Sequence, residues 1–335
     1  MSALRLCLLP GDGIGPEVVG ATLEVLRHVP GLALEVTQAP VGFGAYERHG
    51  DPLPAATLEA VLAADATLLG AVTTPPDVPN YRSPVLGLRQ RCDLFANVRP
   101  CRSLPHPASR PGIDLLIVRE NTECLYAGRE RWEEEDQVAI TERVISRRAS
   151  ERIVRHACQL AAARRGRLTV VHKANVLRLT DGLFRRVARE VAEGFPGVAL
   201  EELLVDACAM DLIRRPERFD VIVTTNLFGD ILSDEASMLV GGLGLACSAN
   251  LGERAAVFEP VHGSAPDIAG KGIANPLATV RSAALLLAHT GRAAPAARLE
   301  EAVLTMVREG PHTPDLGGQA RTADVTQALI QALGT

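Results

Sequence analysis

Lysine is almost missing from this chain: its 35 basic residues are 33 Arg and only two Lys, Lys173 and Lys271. A drift from Lys to Arg is neutral wherever only a solvated positive charge is needed. It should stop where the chemistry needs an amine that can lose its proton, because guanidinium stays protonated. Each surviving Lys is therefore a candidate for catalysis, set against the plain alternative that it escaped replacement. Aromatic residues are scarce too, at 3% of 335 residues, and 40 acidic residues give a net charge of −5. With neither a basic patch nor an aromatic platform, a nucleic-acid surface is not expected. No window approaches the roughly 18 uncharged apolar residues of a membrane span. The first residues run straight into a strand-like segment with no signal-peptide pattern, so a cytoplasmic protein is expected. The seven cysteines, at 7, 92, 101, 124, 158, 208 and 247, contain no CxxC pair. Neither a zinc ribbon nor a disulfide framework fits, which leaves reduced thiols, mostly in the core.

What is present reads as a globular chain of about two domains. Strand-like runs at 4–9, 66–72, 113–118, 138–145, 168–172, 200–205 and 220–225 alternate with helical runs at 16–27, 148–165, 182–194, 229–240, 277–290, 296–309 and 322–333. That alternation predicts an α/β fold with largely parallel strands. A Pro-rich stretch at 99–111 and a Gly-rich one at 241–252 read as crossovers. The expected organisation is an outer domain of 1–99 and 251–335 with 100–250 inserted as a middle domain, and a ligand cleft between them. The charged run at 129–136 reads as a solvated loop or arm.

GDGIGPE at 11–17 follows the first strand and opens a helix. It is not a dinucleotide fingerprint, because the third glycine comes one position early and Pro follows it, so a structural tight turn is preferred to direct phosphate contact. A P-loop is excluded by the absence of GxxxxGK[ST]. Asp230 and Asp234, four apart at a helix start, place two carboxylates on one face, where they repel unless a cation lies between them. Oxygen ligands favour Mg2+ or Mn2+, and Asp206, at another strand end, is a candidate third ligand; the alternative is helix capping. Arg89, Arg91, Arg99 and Arg119 imply a polycarboxylate ligand, since a guanidinium fork matches a carboxylate. Local salt bridges are the competing explanation, stronger for Arg91 than for Arg119. Lys173 ends a strand, as a catalytic amine would, and Tyr126 could donate a proton or simply pack. The small-residue turns around His262, Asp267, Gly270 and Asn275 would let a cofactor approach the backbone. Asp267 suits free ribose hydroxyls and repels a 2′-phosphate.

Together these motifs identify a resemblance over essentially the whole chain to the β-decarboxylating dehydrogenases, the isocitrate, 3-isopropylmalate and homoisocitrate enzymes. Its carriers are GDGIGPE, LRQRCDLFANVRP at 88–100, VRENTE at 118–123, HKAN at 172–175, NLFGDILSDEA at 226–236 and FEPVHGSAPDIAGKGIANP at 258–276. Within the family the pattern is most similar to homoisocitrate dehydrogenases. The resemblance implies an isocitrate/isopropylmalate dehydrogenase-like fold of two α/β domains, distinct from the Rossmann fold, and a homodimer or pair of dimers. In such a dimer Lys173, Asn175 and Asp206 reach into the neighbour's cleft. It implies that Lys173 and Tyr126 are the acid/base pair and that Asp206, Asp230 and Asp234 hold Mg2+ or Mn2+. Arg89, Arg99 and Arg119, with Thr74, Ser83, Val85, Leu86 and Asn175, would line the substrate site. Val72, Thr73, Thr74, Asn175, Gly263, Ser264, Ala265, Pro266, Asp267 and Asn275 would contact NAD.

The implied reaction is NAD-dependent oxidative decarboxylation of homoisocitrate to 2-oxoadipate, in lysine biosynthesis through aminoadipate, with isocitrate as a second substrate. Val85 and Leu86 are apolar where some homoisocitrate enzymes carry an Arg, which leaves 3-isopropylmalate and isocitrate as alternatives; Ser83 and Thr74 are candidates for the distal carboxylate. Cys124 stands where the family motif usually has Gly. A non-catalytic regulatory subunit is the reading from another class, and the retention of Lys173, Tyr126 and all three Asp argues against it.

Overall fold

The computed structural model describes residues 2–78 and 81–334. In chain order the elements are β1 (Leu4–Gly11), α1 (Gly15–Arg27), β2 (Leu34–Gln38), α2 (Phe43–His49), α3 (Ala55–Ala63), β3 (Ala66–Ala71) and α4 (Pro84–Arg91). There follow β4 (Ala96–Arg102), β5 (Asp114–Glu120), β6 (Glu130–Glu134), β7 (Val138–Thr141), α5 (Arg147–Ala162), β8 (Arg167–His172), α6 (Thr180–Ala192), β9 (Ala199–Leu204), α7 (Val205–Arg214), β10 (Val221–Thr224) and α8 (Asn226–Leu239). The chain closes with β11 (Cys247–Leu251), β12 (Ala256–Pro260), α9 (Leu277–His289), α10 (Ala293–Glu309) and α11 (Thr322–Leu333).

Two compact units result: Met1–Leu94, Ser103–Pro111 and Val240–Thr335 form one, Phe95–Arg102 and Gly112–Leu239 the other. These bounds differ from the expected 99/100 and 250/251. β4 stays whole because it pairs along its length with β5, and β11 goes with the first unit because it pairs with β12.

In the first unit β1 lies between β2 and β3, all parallel, and β3 continues through parallel β12 to antiparallel β11. β1 is buried on both faces, which explains its nearly unbroken apolar run. Leu4, Leu6 and Leu8 face a core shared with α1, α9, α10 and α11, while Cys7 and Leu9 face the core of Leu53, Leu58, Val61 and Leu88. Helix α1 begins as its sequence requires, with Pro at the first turn, Glu17 beside it and Arg27 in the last turn.

In the second unit β5, β10, β8 and β9 are parallel neighbours and β4 adds antiparallel to β5. The 138–145 strand expectation fails after Thr141. β7 instead pairs antiparallel with β6 in a two-stranded hairpin whose side chains are almost all exposed, Trp132 among them. The 99–111 stretch is strand for its first four residues, with Pro100 paired opposite Leu116.

Helix α8 approaches β5 so closely that a Cβ added to Gly229 would lie 2.6 Å from Arg119 Cγ and 2.7 Å from its Cβ. In an open helix, Gly→Ala gains about 1 kcal/mol. Here overpacking costs about 1–3 kcal/mol, so Gly229→Ala should lower the thermal midpoint and disturb Arg119. An unchanged or raised midpoint in calorimetry would contradict the close approach.

All seven cysteines are buried and none forms a disulfide. Burial pushes the Cys7 and Cys158 thiols up to about 11 and Cys208 to about 12. Because the thiolate is the reactive form, native protein at pH 8 should react only slowly with a disulfide reagent, and all seven thiols should appear on denaturation. One fast-reacting thiol in the native state would contradict this.

Candidate active site

The parallel strands of the second unit end where its candidate site residues begin. Arg119 is the penultimate residue of β5, Lys173 follows β8, Asp206 lies in the first turn after β9, and α8 starts just after β10. This is the carboxyl edge where open α/β sheets collect ligands.

Asp230 and Asp234 stand one turn apart on α8, and two guanidinium groups face them. Arg119, whose side chain is only 1% exposed, donates from Nη1 to Asp230 Oδ1 and from Nε and Nη2 to Asn226 Oδ1 at 2.9 and 2.7 Å. Arg99 donates from Nη1 to Ser233 Oγ and Asp234 Oδ1, both at 2.8 Å, and its Nη2 lies 3.3 Å from Asp230 Oδ1. The Tyr126 hydroxyl donates to Asp230 Oδ2 at 2.7 Å, and the Arg119 guanidinium sits 5.2 Å over the Tyr126 ring. Taking the two guanidinium groups out of water is costly unless they are paired, and here the partly exposed Asp230 and Asp234 carboxylates pair them.

The carboxylates fit a hard dication. Burial first, and then the Asp230 charge, raise the Asp234 carboxyl above its usual range, against the pull of Arg99. A divalent cation on that face would relieve both effects, and all-oxygen donors suit Mg2+ or Mn2+. Among the described residues no three His, Cys, Asp or Glu side chains converge as a metal cluster. Asp206 is not with the α8 pair: it is ion-paired to Lys173 Nζ, whose hydrogen bond holds its carboxyl below the usual range. The Lys173 backbone N–H donates to Asp181 Oδ2 at 2.6 Å, and Asn175 is exposed just beyond.

The first unit assembles the other expected residues. Asp12, in the glycine-rich turn, accepts from the backbone N–H groups of Phe43, Gly44 and Thr73 at 2.8, 2.9 and 2.9 Å. A Cβ on Gly13 would lie 2.0 Å from the Ser264 carbonyl oxygen. The glycine there thus answers to backbone packing. Thr73 Oγ1 donates to Ser264 Oγ at 2.8 Å, so the loops carrying Val72, Thr73 and Thr74 and Gly263, Ser264 and Ala265 meet. Pro266 and Asp267 follow in an exposed turn. A cavity of about 430 Å³ opens beside them, lined by Ile14, His262, Ala265, Ile268, Asn275 and Asp315 among others. Burial pulls the His262 imidazole below its usual value, favouring the neutral ring, and Asn275 donates to Asp315 at 2.9 Å. The size, the apolar wall and the polar groups at one side suit a nucleoside.

Helix α4 carries Val85, Leu86 and Arg89, with Ser83 at its N-cap position and all three of Ser83, Val85 and Leu86 half-buried. Arg89 Nη2 contacts Glu259 Oε1 at 3.3 Å, while its buried Nε has no hydrogen-bond partner, a donor available to an anion. Arg91 is exposed and makes no ion pair among the described residues, so the local salt bridge considered for it is not formed. Asp12, Glu259, Asp315 and Asp181 were not singled out in advance. Asp12 and Glu259 lie inside motifs whose other residues carried the reading, and Asp315 and Asp181 have no local pattern.

The family model "Isocitrate/isopropylmalate dehydrogenase" matches residues 5–332. An isocitrate/homoisocitrate dehydrogenase of Thermus thermophilus is 55% identical over 333 residues, 99% of both chains. A 3-isopropylmalate dehydrogenase of Archaeoglobus fulgidus is 48% identical over 332 residues, 98% of this chain and 99% of that one. Among solved structures, isocitrate dehydrogenase from Methylococcus capsulatus superposes with a TM-score of 0.95 at 44% identity, covering 99% of this chain and 100% of that one.

Proposed function

We propose, because the chain belongs to the isocitrate/isopropylmalate dehydrogenase family, that this β-decarboxylating 2-hydroxy-acid dehydrogenase converts homoisocitrate and NAD+ to 2-oxoadipate, CO2 and NADH. The observation that carries the reading is the buried Arg99–Arg119 pair set on Asp230 and Asp234 with the Tyr126 hydroxyl on the same carboxylate.

Arg99 and Arg119 bind substrate carboxylates as two-point contacts, and the same role is assigned to Arg89. Asp230 and Asp234, with Asp206 of a second copy, would hold Mg2+ or Mn2+. Bound there, the metal supplies a Lewis acid at the substrate's 2-hydroxyl, and NAD+ supplies the hydride acceptor. Lys173 accepts the hydroxyl proton, directly or by relay, as C2 gives up hydride. The ketone so formed is β to a carboxylate, which leaves as CO2, and Tyr126 protonates the carbon that carried it.

Support for a homodimer comes from the apolar side chains that α7 and α8 expose: Met210, Ile213, Ile231 and Met238 are 57–65% exposed. Val176 and Leu179, beside Lys173, are also exposed. A second copy covers this face and receives Lys173 and Asp206 into its own site, which explains why Asp206 stands apart from the α8 carboxylates. NAD is favoured over NADP by Asp267 at the rim and Asp315 in the cavity wall. Asp267→Lys with Ile268→Tyr should raise kcat/KM for NADP relative to NAD on the order of tenfold, by reversing a charge near the 2′-phosphate. An unchanged ratio would remove Asp267 from cofactor choice.

A second reading, 3-isopropylmalate as preferred substrate, is favoured by the half-buried apolar pair Val85 and Leu86 on α4. The reaction itself is tested by stoichiometry. With homoisocitrate, NAD+ and Mg2+, CO2 and NADH should form one to one and stop on chelation; no NADH from homoisocitrate contradicts the proposal.

A further inference from the structure

The Lys173 amine is only as well placed as the turn that carries it, and that turn hangs on a carboxylate outside every recognised motif. Asp181, on α6, is fully buried. Its Oδ2 accepts from the Lys173 backbone N–H at 2.6 Å, and its Oδ1 accepts from Arg143 Nη2 at 2.9 Å. The same Arg143 nitrogen donates to Thr225 Oγ1 at 2.8 Å, one residue before α8, and the guanidinium lies 4.5 Å over the Phe228 ring. Arg143 is itself 11% exposed in its side chain. A buried carboxylate needs such a counter-charge, and neither partner is tolerable alone.

The chain next to Arg143 also holds the Tyr126 turn. Cys124 and Val144 exchange backbone hydrogen bonds at 2.8 and 3.4 Å, and Ser146 N–H donates to Glu123 Oε1 at 2.8 Å. Segment 143–146 thus touches three parts at once: the turn before Tyr126, the start of α8 that carries Asp230, and, through Asp181, the Lys173 turn. Cys124 sits at φ +73° with its side chain buried, so the turn has little room to drift.

We propose that Asp181 is a positioning residue for Lys173 and that Arg143 is the buried counter-charge that fixes it, tying the placement of Lys173 to the α8 end of the site. The inference rests on the proposed role of Lys173. Its chemistry is specific to a carboxylate. Both neighbours of Asp181 are donors, and two carboxylate oxygens accept from both. An amide has only one acceptor, so Asp181→Asn must turn an N–H against either Lys173 N–H or Arg143.

The test is steady-state kinetics of the full-length enzyme with Mg2+, NAD+ and the best substrate, for Asp181→Asn, Lys173→Met and the double variant. Displacing a catalytic group by about 1 Å costs on the order of 100-fold in rate, and about 10- to 100-fold is expected in kcat for Asp181→Asn. Both KM values should stay within about threefold of wild type, so that the loss is confined to kcat. In the Lys173→Met background Asp181→Asn should cause no further loss. If Asp181→Asn does not fold, Asp181→Glu and Arg143→Lys keep the charges and should each lose about tenfold in kcat with KM retained. Wild-type kcat in these variants, a loss confined to KM, or an equal loss without Lys173 overturns the inference while Lys173→Met remains inactive. A Lys173→Met enzyme of near-normal kcat overturns the role of Lys173 and this inference with it.

Discussion

Replacing Lys173 by Met is expected to lower kcat by about 10³-fold, within the 10²- to 10⁴-fold range of a positioned acid or base, while NAD and Mn2+ binding survive in calorimetry. Met keeps the length of the side chain and removes only the amine, so neither binding function is expected to follow the substitution. Lys173→Arg is the more informative companion. Arg would keep a positive charge beside Asp206, which Lys173 now pairs with, but cannot give up its proton at working pH. If Lys173 acts as a base, the Arg variant should be as inactive as the Met variant. If it only supplies charge, Arg should restore most of the rate. In a chain with 33 Arg and two Lys, an Arg variant of near-wild-type kcat would also return the survival of this Lys to chance.

Arg119→Met should be the most damaging single change to fold and function together. Its guanidinium is almost fully buried, holding Asp230 and Asn226 while stacking over Tyr126. Removing the guanidinium costs about 1–3 kcal/mol, because buried Asn226 and partly exposed Asp230 lose its hydrogen bonds. The thermal midpoint should therefore fall by several degrees, with a loss of kcat/KM of at least about 10²-fold, since a two-point carboxylate contact and the alignment of Asp230 and Tyr126 disappear together. Divalent cation, by engaging the freed Asp230, should restore part of the lost midpoint but not the activity. A variant with wild-type stability and an unchanged KM for substrate would show that Arg119 is neither buried against Asp230 nor used for carboxylate binding.

The parts of the molecule legible in its sequence are those where one physical requirement dominates. The apolar run of β1 announced a strand buried on both faces, and the i, i+4 spacing of Asp230 and Asp234 announced a shared helix face. Tyr126 and Lys173 stood out through their motifs, and Lys173 also through its rarity; Lys271 is an exposed residue of the Gly-Lys-Gly turn with no comparable setting. Elements without such a signal were missed. β2 is mostly exposed along its length, and α4 mixes Pro, Gly and three charged or polar residues in eight. α7 begins at Val205 directly after β9 ends at Leu204, so no turn residue marks the change. The Gly-rich 241–252 stretch hid β11, which pairing with β12 stabilises although its own sequence is weak. Arg143 and Asp181 were invisible for a different reason: 38 residues separate them, and only the packing of α6 against the base of the hairpin turns two ordinary charges into a buried pair.

Substrate choice is decided by kcat/KM of the purified enzyme with Mg2+ and NAD+ on homoisocitrate, isocitrate, 3-isopropylmalate and tartrate. One methylene in a pocket is worth only about 1–3 kcal/mol, so isocitrate should follow homoisocitrate within roughly 10- to 200-fold. Homoisocitrate should rank first, with 3-isopropylmalate and tartrate well behind. Turnover of 3-isopropylmalate far faster than homoisocitrate would contradict it and assign Val85 and Leu86 to an apolar substrate branch.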